Sequence, residues 1–101
     1  MASSGNWPPH LRQVRRSQEF DIQGSKIAGS AQRFDEAVAS LEWSLARNPY
    51  KHDAIPGTAV RIGKTDPLGG VPPLRVYFTI EEDGNCNMIH VEEIPDENDE
   101  A

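Results

Sequence analysis

Four side chains in this 101-residue sequence have the chemistry to act on a phosphate ester: Arg61, Arg75, Tyr77 and His90. A guanidinium donates paired, coplanar hydrogen bonds that match two phosphate oxygens. Tyrosine offers a ring for stacking and a hydroxyl for proton transfer. Histidine titrates near neutral pH, which suits general acid–base work. None of these groups acts alone, so the question is whether regular structure carries them to one surface.

Two stretches are built to do so. TAVRIGK, residues 58–64, alternates with period two, so Val60 and Ile62 point to one side of a strand and Arg61 to the other. LRVYFTIEEDGNCNMIHVEEI, residues 74–94, holds Asp83-Gly84 between two β-rich runs, the signature of a two-residue type I′ hairpin. With Glu82 and Asn85 flanking that turn, Phe78 faces Ile89 and Val76 faces Val91 on one side. Tyr77 then faces His90, and Arg75 faces Glu92, on the other. A slip of one residue would set Phe78 against His90 and bury polar groups. The expectation is a sheet with one apolar face and one polar face, the latter carrying Arg61, Arg75, Tyr77 and His90. The simplest account of the polar face is a solvated surface on which Arg75 pairs with Glu92, and that pairing would blunt Arg75 as a phosphate ligand.

A helix must cover the apolar face. Phe34, Val38, Leu41 and Leu45 recur at spacings of four, three and four, with Ser30 as N-cap, Arg47 in the last turn and Asn48-Pro49 as the stop. Trp43 projects opposite Phe34; it either packs beneath another segment or anchors a partner protein. Ser17 is a second N-cap, but Gly24 and Gly29 predict that anything helical between 18 and 29 is short or broken. His10 to Arg16 reads as an edge strand. The fold class is therefore α+β, with one or two N-terminal helices packed on a small, mainly antiparallel sheet. Residues 1–9 read as a flexible leader, 10–94 as the α+β domain and 95–101 as an acidic disordered tail.

Several chemistries are set aside. Gly57 to Thr65 (GTAVRIGKT) has five residues between its glycines where a Walker loop has four, and its β-branched centre suits a strand. Cys86 and His90 are about 13 Å apart along an extended strand, too far to share a metal. Neither His10 nor His52 has a partner at a zinc-like spacing. Glu81, Glu82 and Asp83 flank an exposed turn, which explains them without acid–base work. No cofactor and no metal are expected.

Length allows one domain and excludes a large nucleotide-binding fold. No apolar run approaches the ~20 residues of a membrane span, the start MASSGNWPPH lacks the pattern of a signal peptide, and one cysteine cannot form an internal disulfide. A cytoplasmic protein without a membrane partner is expected. The net charge of −6 is unevenly spread: residues 1–26 carry +2, 27–80 carry +1 and 81–101 carry −9. A block of like charge usually marks a solvated segment; the other reading is an acidic arm that fills a basic site.

The order short strand, RRSQEF, helix, RIGKT, LRVYFTIEEDG, MIHVEEI resembles the RelE/ParE family of toxins from bacterial type II toxin–antitoxin systems. The resemblance spans residues 10–94 and is best in RVYFTIEEDG. It implies an N-terminal strand, a helical pair and an antiparallel sheet with an active face. It also implies a cognate antitoxin as partner. RelE-type members cleave mRNA on the ribosome, using the RNA's own 2′-hydroxyl as nucleophile, and so inhibit translation. Carried over by position, Arg61 and Arg75 would hold the phosphate and its transition state, with Lys64 an auxiliary RNA-binding cation. Tyr77 or His90 would stack or transfer protons. ParE-type members instead poison DNA gyrase, and a non-catalytic protein-binding module on the same fold is the third possibility.

Overall fold

Two serines start the two helices. In the computed structural model, which describes residues 11–95, the Ser17 hydroxyl accepts from the Phe20 amide and opens α1, Gln18–Ala28. The Ser30 hydroxyl accepts from the Arg33 amide and opens α2, Ala31–Arg47. Both close one of the free N–H groups of a first turn. The leader and all but Pro95 of the acidic segment lie outside the described residues.

Against expectation, α1 is unbroken. Gly24 is a packing residue: a Cβ placed on it would stand 2.0 Å from Phe34 Cζ. The missing side chain lets α2 seat the Phe34 ring directly on the α1 backbone, beside Phe20 at 5.1 Å between ring centroids. Gly29, at φ +98°, is the left-handed C-cap that turns the chain into α2.

The strands are β1 (Val14–Arg16), β2 (Asp53–Ala54), β3 (Val60–Lys64), β4 (Leu74–Ile80) and β5 (Cys86–Glu93), with a 3-10 turn at Pro49–Lys51. They form one sheet in the order β1-β5-β4-β3-β2. Every pairing is antiparallel except β1 with β5. Both helices cover one face, so the arrangement is α+β, as the sequence implied. The core joins Phe20 and Ala28 of α1, Phe34, Val38, Leu41 and Leu45 of α2, and Leu74, Val76, Phe78, Cys86, Met88 and Val91 of the sheet. No helix among the described residues is long and apolar enough to cross a membrane.

The hairpin reaches the expected register by another route. The Gly84 amide donates to the Glu81 carbonyl at 2.8 Å, and the Glu81 amide donates to the Asn85 carbonyl at 2.7 Å. Gly84 has φ +88°, while no non-glycine residue has positive φ, which excludes the type I′ turn. The loop is a type I turn closed by a left-handed glycine, one residue longer than expected. Ile80 therefore pairs with Cys86 and Phe78 with Met88, one out of step. A bulge between Tyr77 and Phe78 absorbs the extra residue at Ile89. From there Tyr77 pairs with His90, Val76 with Val91 and Arg75 with Glu92, as the alternation requires. The bulge puts Met88, rather than Ile89, into the core.

The glycine-rich stretch after β3 turns the chain back on itself. Leu68 and Val71 exchange backbone hydrogen bonds across Gly69 and Gly70, both at positive φ, and the Arg33 guanidinium caps the Gly69 carbonyl.

Candidate functional site

The face of β3 differs from expectation. Arg61 pairs with Phe78 and Gly63 with Val76, and both partners point into the core, so Arg61 stands on the helix side. Ile62 and Lys64, opposite Tyr77 and Arg75, occupy the open side. The cause is Gly63: a Cβ there would lie 2.8 Å from Leu41 Cδ1, so α2 approaches β3 closely only over this glycine. Arg61 then emerges at the sheet margin. It donates to the carbonyls of His52 at 2.7 Å and Tyr50 at 3.3 Å, with its guanidinium 5.3 Å from the Tyr50 ring centroid. Arg61 fastens the 3-10 turn to β3 and is separated from the other four candidates by the sheet.

Arg75, Tyr77 and His90 do meet on the open face, and what joins them is Glu92. Arg75 Nη1 donates to Glu92 Oε2 at 2.6 Å, and the Tyr77 hydroxyl donates to the same oxygen at 2.8 Å. His90 Nε2 lies 3.7 Å from Oε1, and its ring centroid is 5.3 Å from that of Tyr77. The phenol and the guanidinium hold the Glu92 carboxyl below its ordinary pKa, so it is an anion at neutral pH. The same bond to Glu92 pushes the Tyr77 phenol up, and burial adds to this. The side chains of Arg75, Glu92 and His90 are 29, 38 and 46 % exposed, so the cluster is half-open to solvent.

Beside it runs a cleft of about 410 Å³, lined by Lys51, His52, Asp53, Ile62, Lys64 and Arg75. Lys64 is the cross-strand partner of Arg75. Lys51 enters from the 3-10 turn, which the sequence gives no means to place. A second cleft of about 370 Å³ lies between α2 and the β3–β4 connection, with Ser44 and His52 in its wall. His52 Nε2 is 3.2 Å from Ser44 Oγ, and the ring meets Phe78 edge-on at 5.9 Å. Burial, reinforced by the charge of Lys51, lowers the His52 pKa.

Nothing in the sequence alone marks Glu92, Lys51 and His52 as site residues. Strand alternation pairs Glu92 with Arg75, but it does not show that the Tyr77 hydroxyl shares the same carboxylate oxygen or that His90 stands near the other. Trp43 is on the outer side of α2, 48 % exposed, next to Arg47 and Lys51 in a shallow surface cavity. Cys86 is buried, and burial raises its thiol pKa, which leaves it protonated and unreactive.

The open face can thus bind an anion through Arg75, Lys64 and Lys51, and exchange protons through Tyr77 and His90. No family model matches the sequence, and no curated protein matches it.

Proposed function

We propose that the chain is a RelE/ParE-like toxin component of a toxin–antitoxin module, acting as a ribosome-dependent mRNA endoribonuclease. The observation that carries this reading is the convergence of Arg75, Tyr77 and His90 on one open sheet face beside Lys64. Cleavage by an RNA 2′-hydroxyl needs that hydroxyl deprotonated, the phosphoryl oxygens neutralised as their charge grows, and a proton delivered to the departing 5′-oxygen. Arg75 and Lys64 suit the second task. His90 and Tyr77 suit proton transfer and stacking on a base. Arg61, on the other side of the sheet, takes no part in this scheme. A cognate antitoxin is the expected partner, with Trp43 a candidate anchor, and the cytoplasm the expected location.

One observation favours a second reading, a non-catalytic protein-binding module. Glu92 already engages Arg75 and Tyr77, and residues 81–101 carry −9, a charge that repels a polyanion. Purified protein added to a cell-free translation reaction, with mRNA 5′ ends mapped, separates the two. Ribosome-dependent cuts that vanish in Arg75→Ala support the ribonuclease. Intact mRNA with normal protein yield supports the binding module, and DNA damage in cells with translation intact supports a gyrase poison.

A further inference from the structure

Glu92 lies where an anionic ligand of this face would bind. Its Oε2 takes both the Arg75 and the Tyr77 donor, and Oε1 faces His90. These are the groups that would meet a phosphoryl oxygen. The neighbouring cations differ: neither Lys51 nor Lys64 has an ion-pair partner among the described residues. Both are exposed and line the same cleft as Arg75.

We propose that Glu92 is an internal counter-anion that holds Arg75 and Tyr77 ready and must leave them before a ligand binds, making the face selective for polyanions. The inference rests on the anion-binding reading above. Replacing one carboxylate by another monoanion exchanges like for like and gains little. A ligand with two or more linked negative groups can place one group on Arg75 and another on Lys64 or Lys51, which line the same cleft. Glu92 is 38 % exposed, so its carboxylate can swing into water without a burial penalty. Glu93 is the internal comparison: it carries the same charge one residue on, is exposed and has no ion pair among the described residues.

Calorimetric titration of the full chain with pyrophosphate, and with formate as the monoanion, tests this. In the unaltered protein pyrophosphate should bind and formate should not. Glu92→Gln should bind pyrophosphate roughly tenfold tighter, the scale of one charge-assisted hydrogen bond released to the ligand. Glu93→Gln should change affinity less than about twofold, and in an Arg75→Ala background Glu92→Gln should also add less than about twofold. Glu92→Thr, which keeps a strand-favouring residue, should repeat the gain and guards against a folding artefact. Equal gains from Glu92→Gln and Glu93→Gln would reduce the effect to net charge and overturn the proposal. So would a Glu92→Gln gain that persists undiminished without Arg75, or formate binding as tightly as pyrophosphate. The ribonuclease reading is tested apart: pyrophosphate behaving as expected with no mRNA cut sinks that reading alone, and mRNA cuts with Glu92→Gln inert toward pyrophosphate sink the counter-anion alone.

Discussion

Arg61 donates to the His52 carbonyl at 2.7 Å from the helix side of the sheet, so the strand and the 3-10 turn before it are joined by a side chain rather than by backbone pairing alone. β2 is only two residues long, so its ladder with β3 adds little to the hold on that turn. Arg61→Ala should therefore cost about 1–2 kcal/mol of stability, the scale of a partly exposed charged hydrogen bond. Urea unfolding checks this. Pyrophosphate affinity should fall less than in Arg75→Ala; an equal fall would return Arg61 to the anion site.

Gly24 and Phe34 set a second prediction. Gly24→Ala gains about 1 kcal/mol of helix propensity, but its Cβ would meet three ring atoms of Phe34 at 2.0–2.3 Å. Phe34 is buried and cannot turn away, so overpacking should win and the variant should lose about 1–3 kcal/mol net. Adding Phe34→Leu should recover part of the loss, which a urea double-mutant cycle would measure.

Arg16 holds three carboxylates: Asp21 at 3.0 Å, Asp35 at 2.6 Å and Glu42 at 2.8 Å, with its guanidinium 5.6 Å from the Phe34 ring centroid. It ties β1 to both helices. Removing one partner of a fully buried pair costs about 3–5 kcal/mol, but these carboxylates are 26–59 % exposed. Arg16→Met should therefore cost nearer ~2 kcal/mol. Thermal unfolding should show the loss, and it should shrink in 1 M salt, where the stranded carboxylates are screened.

His52 makes stability pH-dependent. Its folded-state pKa is depressed, mainly by burial, so the unfolded chain takes up a proton at higher pH than the folded one. Stability from this group is intact above the ordinary imidazole pKa of ~6.5 and is lost as pH falls through that value toward the folded one. Urea midpoints compared at pH 7.5 and 5.5 should drop for the unaltered protein. The drop should be smaller in His52→Gln, whose amide can keep the bond to Ser44.

What the sequence determined by itself was local. The Phe34, Val38, Leu41, Leu45 stripe, the caps at Ser17 and Ser30, and the stop at Asn48-Pro49 follow from backbone hydrogen bonding and helical period. The alternation around Arg75, Tyr77, His90 and Glu92 placed those four on one face, because a shift by one residue would bury charge. The tertiary structure decided what depends on one backbone approaching another. Gly24 reads as a helix breaker until Phe34 lies on it, and nothing in the strand pattern singles out Gly63 until Leu41 lies on it. That second contact chose the side of the sheet for Arg61. The longer turn at Gly84 and the bulge at Ile89 cancel in register, so strand alternation alone could not reveal either. Lys51 and His52 reach Lys64 and Arg75 only because the sheet order brings the turn after α2 beside β3. Such placements come from packing between distant segments, which leaves no periodic trace in the chain.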